Sequence, residues 1–179
     1  MIIPEKDIER LEGMGYRFVG KHKHTAVKIC GWTKNSLVGE GVCYKQKFYG
    51  IQTHRCMQMS PAVPFCKHRC LFCWRDTSIT NPEWEGPYDE PEEIIDECIE
   101  AQRKLLTGYK GNDKSDPKMV KEAFNPNQVA ISLAGEPMEY PMISELIKEF
   151  KKRNFSVFIV TNGTRPDVVE KMEIGRAHV

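Results

Sequence analysis

Three cysteines within eight residues, Cys66-Lys-His-Arg-Cys70-Leu-Phe-Cys73, constrain this chain more than any other feature. Three closely spaced thiolates can wrap one side of a cubane [4Fe–4S] cluster, whose irons favour soft sulfur ligands. Three ligands leave one iron open, and an open iron can chelate a substrate or cofactor. The competing reading is a zinc site completed by His68 or His54. Structural zinc sites usually present paired CxxC knuckles, and no second knuckle exists, so the spacing favours the cluster.

The other cysteines fit the same redox setting. The chain opens MIIPEKDIERLEG, charged from the start, and has no apolar run long enough to cross a membrane. These features read as a cytoplasmic protein with no membrane association. Reducing cytoplasm keeps thiols free, so seven cysteines there point to metal or redox chemistry, not to a disulfide framework. Cys30, Cys43 and Cys56 follow one another at intervals of 13 positions, all upstream of the cysteine loop. They read as a second metal-ligand set, with two alternatives: scattered buried thiols, or a zinc site completed by His22, His24 or His54. Cys98 falls on the apolar face of a predicted helix and reads as a small buried hydrophobe.

The net charge of +1 conceals an asymmetry. Residues 1–75 hold 13 Lys and Arg against 5 Asp and Glu, while the remainder holds 13 against 20. A basic N-terminal part suits a polyanion or an anionic cofactor, although a solvated face is the simpler reading.

Residues 4–19 read as an amphipathic helix with Ile8, Leu11 and Met14 at helical spacing. Residues 20–65 show no clear period and need something besides an amphipathic core, such as a metal, to order them. Downstream, the pattern alternates. Pro91 opens a helix to about Leu106, residues 108–127 form a polar insertion with a short helix near Pro117 to Phe124, and Gln128 to Leu133 reads as a buried strand. Pro141 to Lys152 forms a second helix, Ser156 to Val160 a second strand, and Asp167 to Met172 starts a third helix. Strands alternating with helices predict a parallel sheet in an α/β fold, with ligand groups at the C-terminal strand ends. Those ends carry Ala134-Gly135-Glu136-Pro137 and Thr161-Asn162-Gly163-Thr164. The last seven residues, EIGRAHV, match one reading frame of a common sequencing-adapter oligonucleotide and are expected to be foreign to the fold.

In combination these motifs resemble the radical SAM (S-adenosylmethionine) superfamily. CxxxCxxC with an aromatic residue before the last cysteine, here Phe72, is its signature. Gly135 and Glu136 are similar to its glycine–glutamate motif, which holds the SAM amino group, and Thr161 with Asn162 to its polar loop at the SAM carboxylate or ribose. The string Cys56-Met-Gln-Met-Ser-Pro, the later Cys73-Trp-Arg, and the upstream cysteine trio narrow the resemblance to the tRNA 4-demethylwyosine synthase family in its archaeal form, which lacks a flavodoxin domain.

That resemblance implies a partial (β/α) radical SAM barrel truncated at its C-terminus. Residues 1–60 would be the segment for a second cluster, 61–172 the first part of the barrel, and 173–179 the adapter scar. It implies two [4Fe–4S] clusters, on Cys30, Cys43 and Cys56 and on Cys66, Cys70 and Cys73. SAM would be held by Phe72, Gly135, Glu136, Thr161 and Asn162. Lys45 corresponds to the lysine that the family uses with pyruvate, and Lys47 is its competing neighbour. The implied substrate is N1-methylguanosine-37 of tRNA(Phe), with pyruvate as two-carbon donor, a flavodoxin- or ferredoxin-type electron donor, and a monomeric enzyme. Lys21, Lys23, Lys28, Lys34 and Arg17 are expected to contact tRNA phosphates. About three βα units with an uncovered inward face are expected to be poorly stable and inactive alone. The alternatives are a different radical SAM enzyme, such as a glycyl-radical activating enzyme, or a non-catalytic iron–sulfur or zinc module.

Overall fold

The computed structural model describes residues 2–172; the suspected adapter tail, Glu173 to Val179, lies outside them. A mixed sheet organises the described residues, with five strands in chain order: β1 (Arg17–Val19), β2 (Thr25–Val27), β3 (Cys56–Ser60), β4 (Gln128–Ile131) and β5 (Ser156–Ile159). β1, β2 and β3 pair antiparallel, whereas β3, β4 and β5 pair parallel. The parallel half is the expected βα architecture; the antiparallel half was not expected. The first helix, α1 (Glu5–Gly13), stops before the predicted end, and residues 17–19 turn into β1. Phe18 and Val19 are buried there, and three-residue strands are too short to show a period.

The segment without a period holds two short helices, α2 (Gly31–Leu37) and α3 (Tyr44–Tyr49), beside β2 and β3. The crossover from β3 to β4 carries α4 (Pro91–Leu106) and α5 (Pro117–Ala123). α4 matches its predicted bounds because Pro91 starts it and Glu92 and Glu93 suit the helix dipole. The crossover from β4 to β5 carries α6 (Ile143–Lys152), and α7 (Pro166–Glu170) follows β5.

Strand residues alternate between two faces. Met57, Met59, Val129 and Ile131 join Ile94, Ile95 and Leu146 in the main core under α4 and α6, with Val157 and Ile159 packed against it. Fully burying side chains of this size contributes about 1.5–3 kcal/mol each. The opposite face carries Cys56, Gln58, Gln128, Ala130, Ser132 and Phe158, a mostly polar set. Parallel strands covered on both faces are normally apolar throughout. Here the second face lines a chamber.

A buried knot fixes the chain as it leaves β3. His24 is fully buried, and its Nδ1 lies 2.6 Å from the Pro61 carbonyl, which only accepts, so Nδ1 carries the proton. Nε2 then accepts from the Asp89 amide at 2.9 Å. Tyr140 donates to the Asp89 carbonyl at 2.6 Å, and Trp84 packs on His24 and Phe65.

Candidate active site

Three loops meet at the C-terminal ends of β3, β4 and β5. The first carries Cys66, which is buried and donates its amide to the Asn81 carbonyl at 2.8 Å. Cys70 and Cys73 are half-buried and joined by a turn, the Cys73 amide donating to the Cys70 carbonyl at 3.0 Å. Arg75 clamps this loop: its buried guanidinium donates to the His68 carbonyl at 3.0 Å and to Thr80 Oγ1 at 2.7 Å. The sequence singled out Arg75 only within Cys-Trp-Arg and offered no role for it. Phe72 is 90% exposed and touches none of the other rim groups through a hydrogen bond or ring contact, as Leu71 and Trp74 are also exposed.

The second loop packs directly onto the first. Gly135 has φ of +69°, and a Cβ there would lie 1.8 Å from the Ala62 carbonyl oxygen and 2.9 Å from that of Phe65. Only glycine permits that approach, and the Glu136 amide donates to the same Phe65 carbonyl at 2.7 Å. The Glu136 carboxylate is buried. It accepts from the Met138 amide at 3.1 Å, from Thr161 Oγ1 at 2.7 Å and from the Asn162 amide at 2.7 Å. An ionised carboxylate accepts at about four positions. One position therefore remains, enough for an ammonium group.

The third loop completes the rim. Asn162 Nδ2 donates to Cys66 Sγ at 3.5 Å, linking β5's end to the cysteine loop. Glu139 ties the three loops together from behind: Arg165 donates to its Oε2 at 3.1 Å, and Lys67, next to Cys66, lies 3.9 Å from its Oε1. Neither Asn162–Cys66 nor Glu139–Lys67 was legible in the sequence, because both pairs join distant loops.

The second cysteine set gathers at the other end of the polar face. Cys30 and Cys43 immediately precede α2 and α3, and with Cys56 they line a cavity of about 160 Å³. Lys45, Gln58, Ala130, Ser132 and Phe158 complete its walls. Lys45 is buried; its Nζ lies 3.9 Å from Cys56 Sγ and 4.8 Å from the Phe158 ring centre. Lys47 is outside this lining, which separates the two lysine candidates. Burial is the largest influence on the Cys56 thiol and pushes its pKa up, while the Lys45 ammonium and a Gln128 amide interaction act against it. Burial likewise pushes the Cys98 thiol up, and Cys98 sits in the main core as read from its helix face.

Of the histidines considered as zinc ligands, His54, His24 and His22 are engaged elsewhere, whereas His68 Nδ1 stays within the cysteine loop, 4.0 Å from Cys70 Sγ. His54 Nε2 lies 2.7 Å from Glu122, His24 is in the buried knot, and His22 faces Asp89. Among the described residues no group of three or more His, Cys, Asp and Glu side chains is arranged to hold a single metal ion. A cubane holds its thiolates at separate corners, further apart than the ligands of one ion. The donor sets suit a cluster by their chemistry: each holds three cysteines, with an Asn or a Lys nitrogen beside a cysteine sulfur. Of the cations expected to meet a polyanion, Arg17 instead donates to the Glu12 and Tyr16 carbonyls, whereas Lys21 and Lys34 are exposed.

Comparison with known proteins decides the family. The Radical SAM superfamily profile matches residues 60–176. The chain belongs to that superfamily. It is 50% identical over 171 residues to an S-adenosyl-L-methionine-dependent tRNA 4-demethylwyosine synthase of Pyrococcus horikoshii, covering 95% of this chain and 49% of that protein. A synthase of the same name from Methanocaldococcus jannaschii is 43% identical, over 96% of this chain and 56% of the other. A solved structure of TYW1 with a lysine-pyruvate adduct bound superimposes with a TM-score of 0.84 at 44% identity, over 97% of this chain and 56% of that one. A crystal structure of archaeal TYW1 gives 0.76 at 40% identity, over 96% and 57% respectively. The chain thus spans about half the length of the curated relatives it matches. No described helix is long and apolar enough to cross a membrane.

Proposed function

We propose that this chain carries the cofactor and lysine half of a tRNA 4-demethylwyosine synthase, which joins N1-methylguanosine-37 of tRNA(Phe) to two carbons of pyruvate. One observation carries this reading: the buried Lys45 amine shares a chamber with three cysteines on the inward face of a radical SAM sheet. The similar TYW1 structure, which holds a lysine-pyruvate adduct, supports it. Cys66, Cys70 and Cys73 would hold a [4Fe–4S] cluster, and Glu136, Thr161, Asn162 and Gly135 would frame SAM beside it. Phe72 would approach the cofactor only by turning inward from its exposed position. Cys30, Cys43 and Cys56 would hold a second [4Fe–4S] cluster.

When bound and reduced, a cluster held by Cys66, Cys70 and Cys73 would supply, with SAM, the radical chemistry needed to remove a hydrogen from the N1-methyl group. The chain's own residues arrange the rest. Unprotonated Lys45 attacks the pyruvate carbonyl carbon, and the carbonyl oxygen leaves as water, giving an imine fixed in the chamber. Phe158 and Ala130 form an apolar wall of that chamber and limit its hydration. β3 rises about 3.3 Å per residue, so the four steps from Cys56 to Ser60 separate the cysteine end of the chamber from the rim by roughly 13 Å. Gln58 and Ser132, hydrogen-bonded at 3.5 Å, line that interval, where the methylated base would lie. Lys21 and Lys34 would contribute phosphate contacts, and a flavodoxin- or ferredoxin-type donor would reduce a monomeric, cytoplasmic enzyme.

Iron and acid-labile sulfide after anaerobic reconstitution test the cofactors. About eight irons per chain, falling to about four when Cys30, Cys43 and Cys56 become Ala, is the expected result. Borohydride with labelled pyruvate should mark Lys45. Full labelling of Lys45→Arg would refute its role, and four irons unaffected by the triple substitution would refute the second cluster.

A further inference from the structure

Gln128 is the first residue of β4 and pairs in register with Cys56 on the parallel strand β3. Register partners on adjacent parallel strands face the same way, so the Gln128 side chain belongs to the cysteine face. It is only 4% exposed, yet its Nε2 makes no hydrogen bond of normal geometry, although the amide lies near enough to Cys56 to act on that thiol. Leaving a buried amide donor unpaired costs about 1–3 kcal/mol, and buried donors are almost always satisfied. Gln102 flanks the other side. It donates to the Cys56 carbonyl at 3.3 Å, and its own buried Oε1 is likewise unpaired.

We infer that Gln128 is a positioning residue of the second cluster, its free amide N–H reserved for the Cys56 thiolate once that thiolate carries iron. The inference rests on the two-cluster reading of the cysteine trio. A thiol accepts hydrogen bonds weakly, whereas a thiolate is a charged and much better acceptor. A buried donor that stops short of a full hydrogen bond to the thiol is therefore explained by a ligand state of Cys56 that a free thiol does not provide. Lys45 Nζ already approaches the same sulfur at 3.9 Å, so Cys56 would receive one donor from α3 and one from β4. Hydrogen bonds to cluster sulfurs withdraw charge and raise the reduction potential. Gln128 would thus make the iron beside Lys45 a better acceptor for an electron-rich ligand.

The test uses the reconstituted chain carrying 15N in its glutamine side chains. EPR separates the two clusters because added SAM perturbs only the signal of the cluster that binds it. The SAM-insensitive signal should show a weak 15N hyperfine coupling in the wild type. That coupling should vanish in Gln128→Leu and in the near-isosteric Gln128→Glu, and the midpoint potential of that signal should become more negative in both. The wild-type coupling needs no variant, so poor iron loading of one variant does not remove the test. Absence of the coupling in a wild type that shows both signals overturns the inference, and pairing of the amide with Gln102 would be the reason. Unchanged potentials in both variants also overturn it. A wild type with only the SAM-responsive signal overturns the two-cluster reading itself, and the inference with it.

Discussion

Replacing Gly135 by Ala should damage this protein through the cysteine loop, not through any lost contact with a cofactor. The Ala Cβ would be placed 1.8 Å from the Ala62 carbonyl oxygen and 2.9 Å from the Phe65 carbonyl oxygen. Both obstacles are backbone atoms, so no side-chain rotation relieves them. An L-residue at φ of +69° costs about 1–2 kcal/mol. Forcing extra volume into a filled site adds about 1–3 kcal/mol. Lower entropy of the unfolded chain returns about 0.4–1 kcal/mol. A net loss of about 2–4 kcal/mol corresponds, for a chain of this size, to a melting temperature lower by roughly 5–15 °C. Gly163→Ala is the internal control, since Gly163 has φ of +75° but open space where its Cβ would sit. It should lose only about 1 kcal/mol, the backbone part of the effect. Thermal melts of both variants, with SAM affinity by calorimetry, make the comparison. Equal melting temperatures for the two would show that the approach of Ala62 and Phe65 to Gly135 is not a constraint.

Stability should also report the buried His24. Burial is the main cause that lowers its pKa below 6.5, opposed by its hydrogen bond to Pro61 and by Asp89. The unfolded chain therefore takes up a proton near pH 6.5 that the folded chain refuses. The stabilisation is complete above that pH and declines as pH falls below it, by at most about 1.4 kcal/mol per pH unit. Melting curves between pH 8 and pH 5 should show the decline in wild type and a shallower one in His24→Gln; parallel curves would refute it. Arg75→Leu should strand the His68 carbonyl, at a cost of about 1–3 kcal/mol, and loosen the loop that holds Cys70 and Cys73. Reconstituted Arg75→Leu should lose iron to a chelator several-fold faster than wild type, and equal rates would count against the clamp.

How much was legible in the sequence followed the range of the interactions involved. α4 and α6 were readable because a helix writes its buried face into a run of ten or more residues, and Pro91 marked a start. β1 and β2 were not readable, since strands of three residues carry no period, and only pairing with β3 defines them. The motifs at 66–73, 134–137 and 161–164 were each recognisable locally, and parallel-sheet topology explains why they share a rim. What spacing could not supply was direction. Lys45 and Lys47 sit two positions apart on α3, and only the fold turns one into the cysteine chamber.

The same logic explains the polar face. Along β3, β4 and the residue after β4 the sequence alternates Met57, Met59, Val129 and Ile131 with Cys56, Gln58, Gln128, Ala130 and Ser132. Read as whole strands these runs look buried, and both are buried. The alternation acquires meaning only once α4 and α6 are seen to cover one face. The apolar set then accounts for stability, and the polar set has no packing partner of its own kind. Polar side chains kept out of water without full hydrogen bonding are a cost that the sheet alone does not offset. Gln128 and the long Gln58–Ser132 contact therefore mark the inward face as a surface made for ligands. Filling it with apolar residues should separate the two roles. Gln58→Leu should raise the melting temperature or leave it unchanged while lowering product formed per SAM cleaved. A matched loss of stability and turnover would return Gln58 to the structural core.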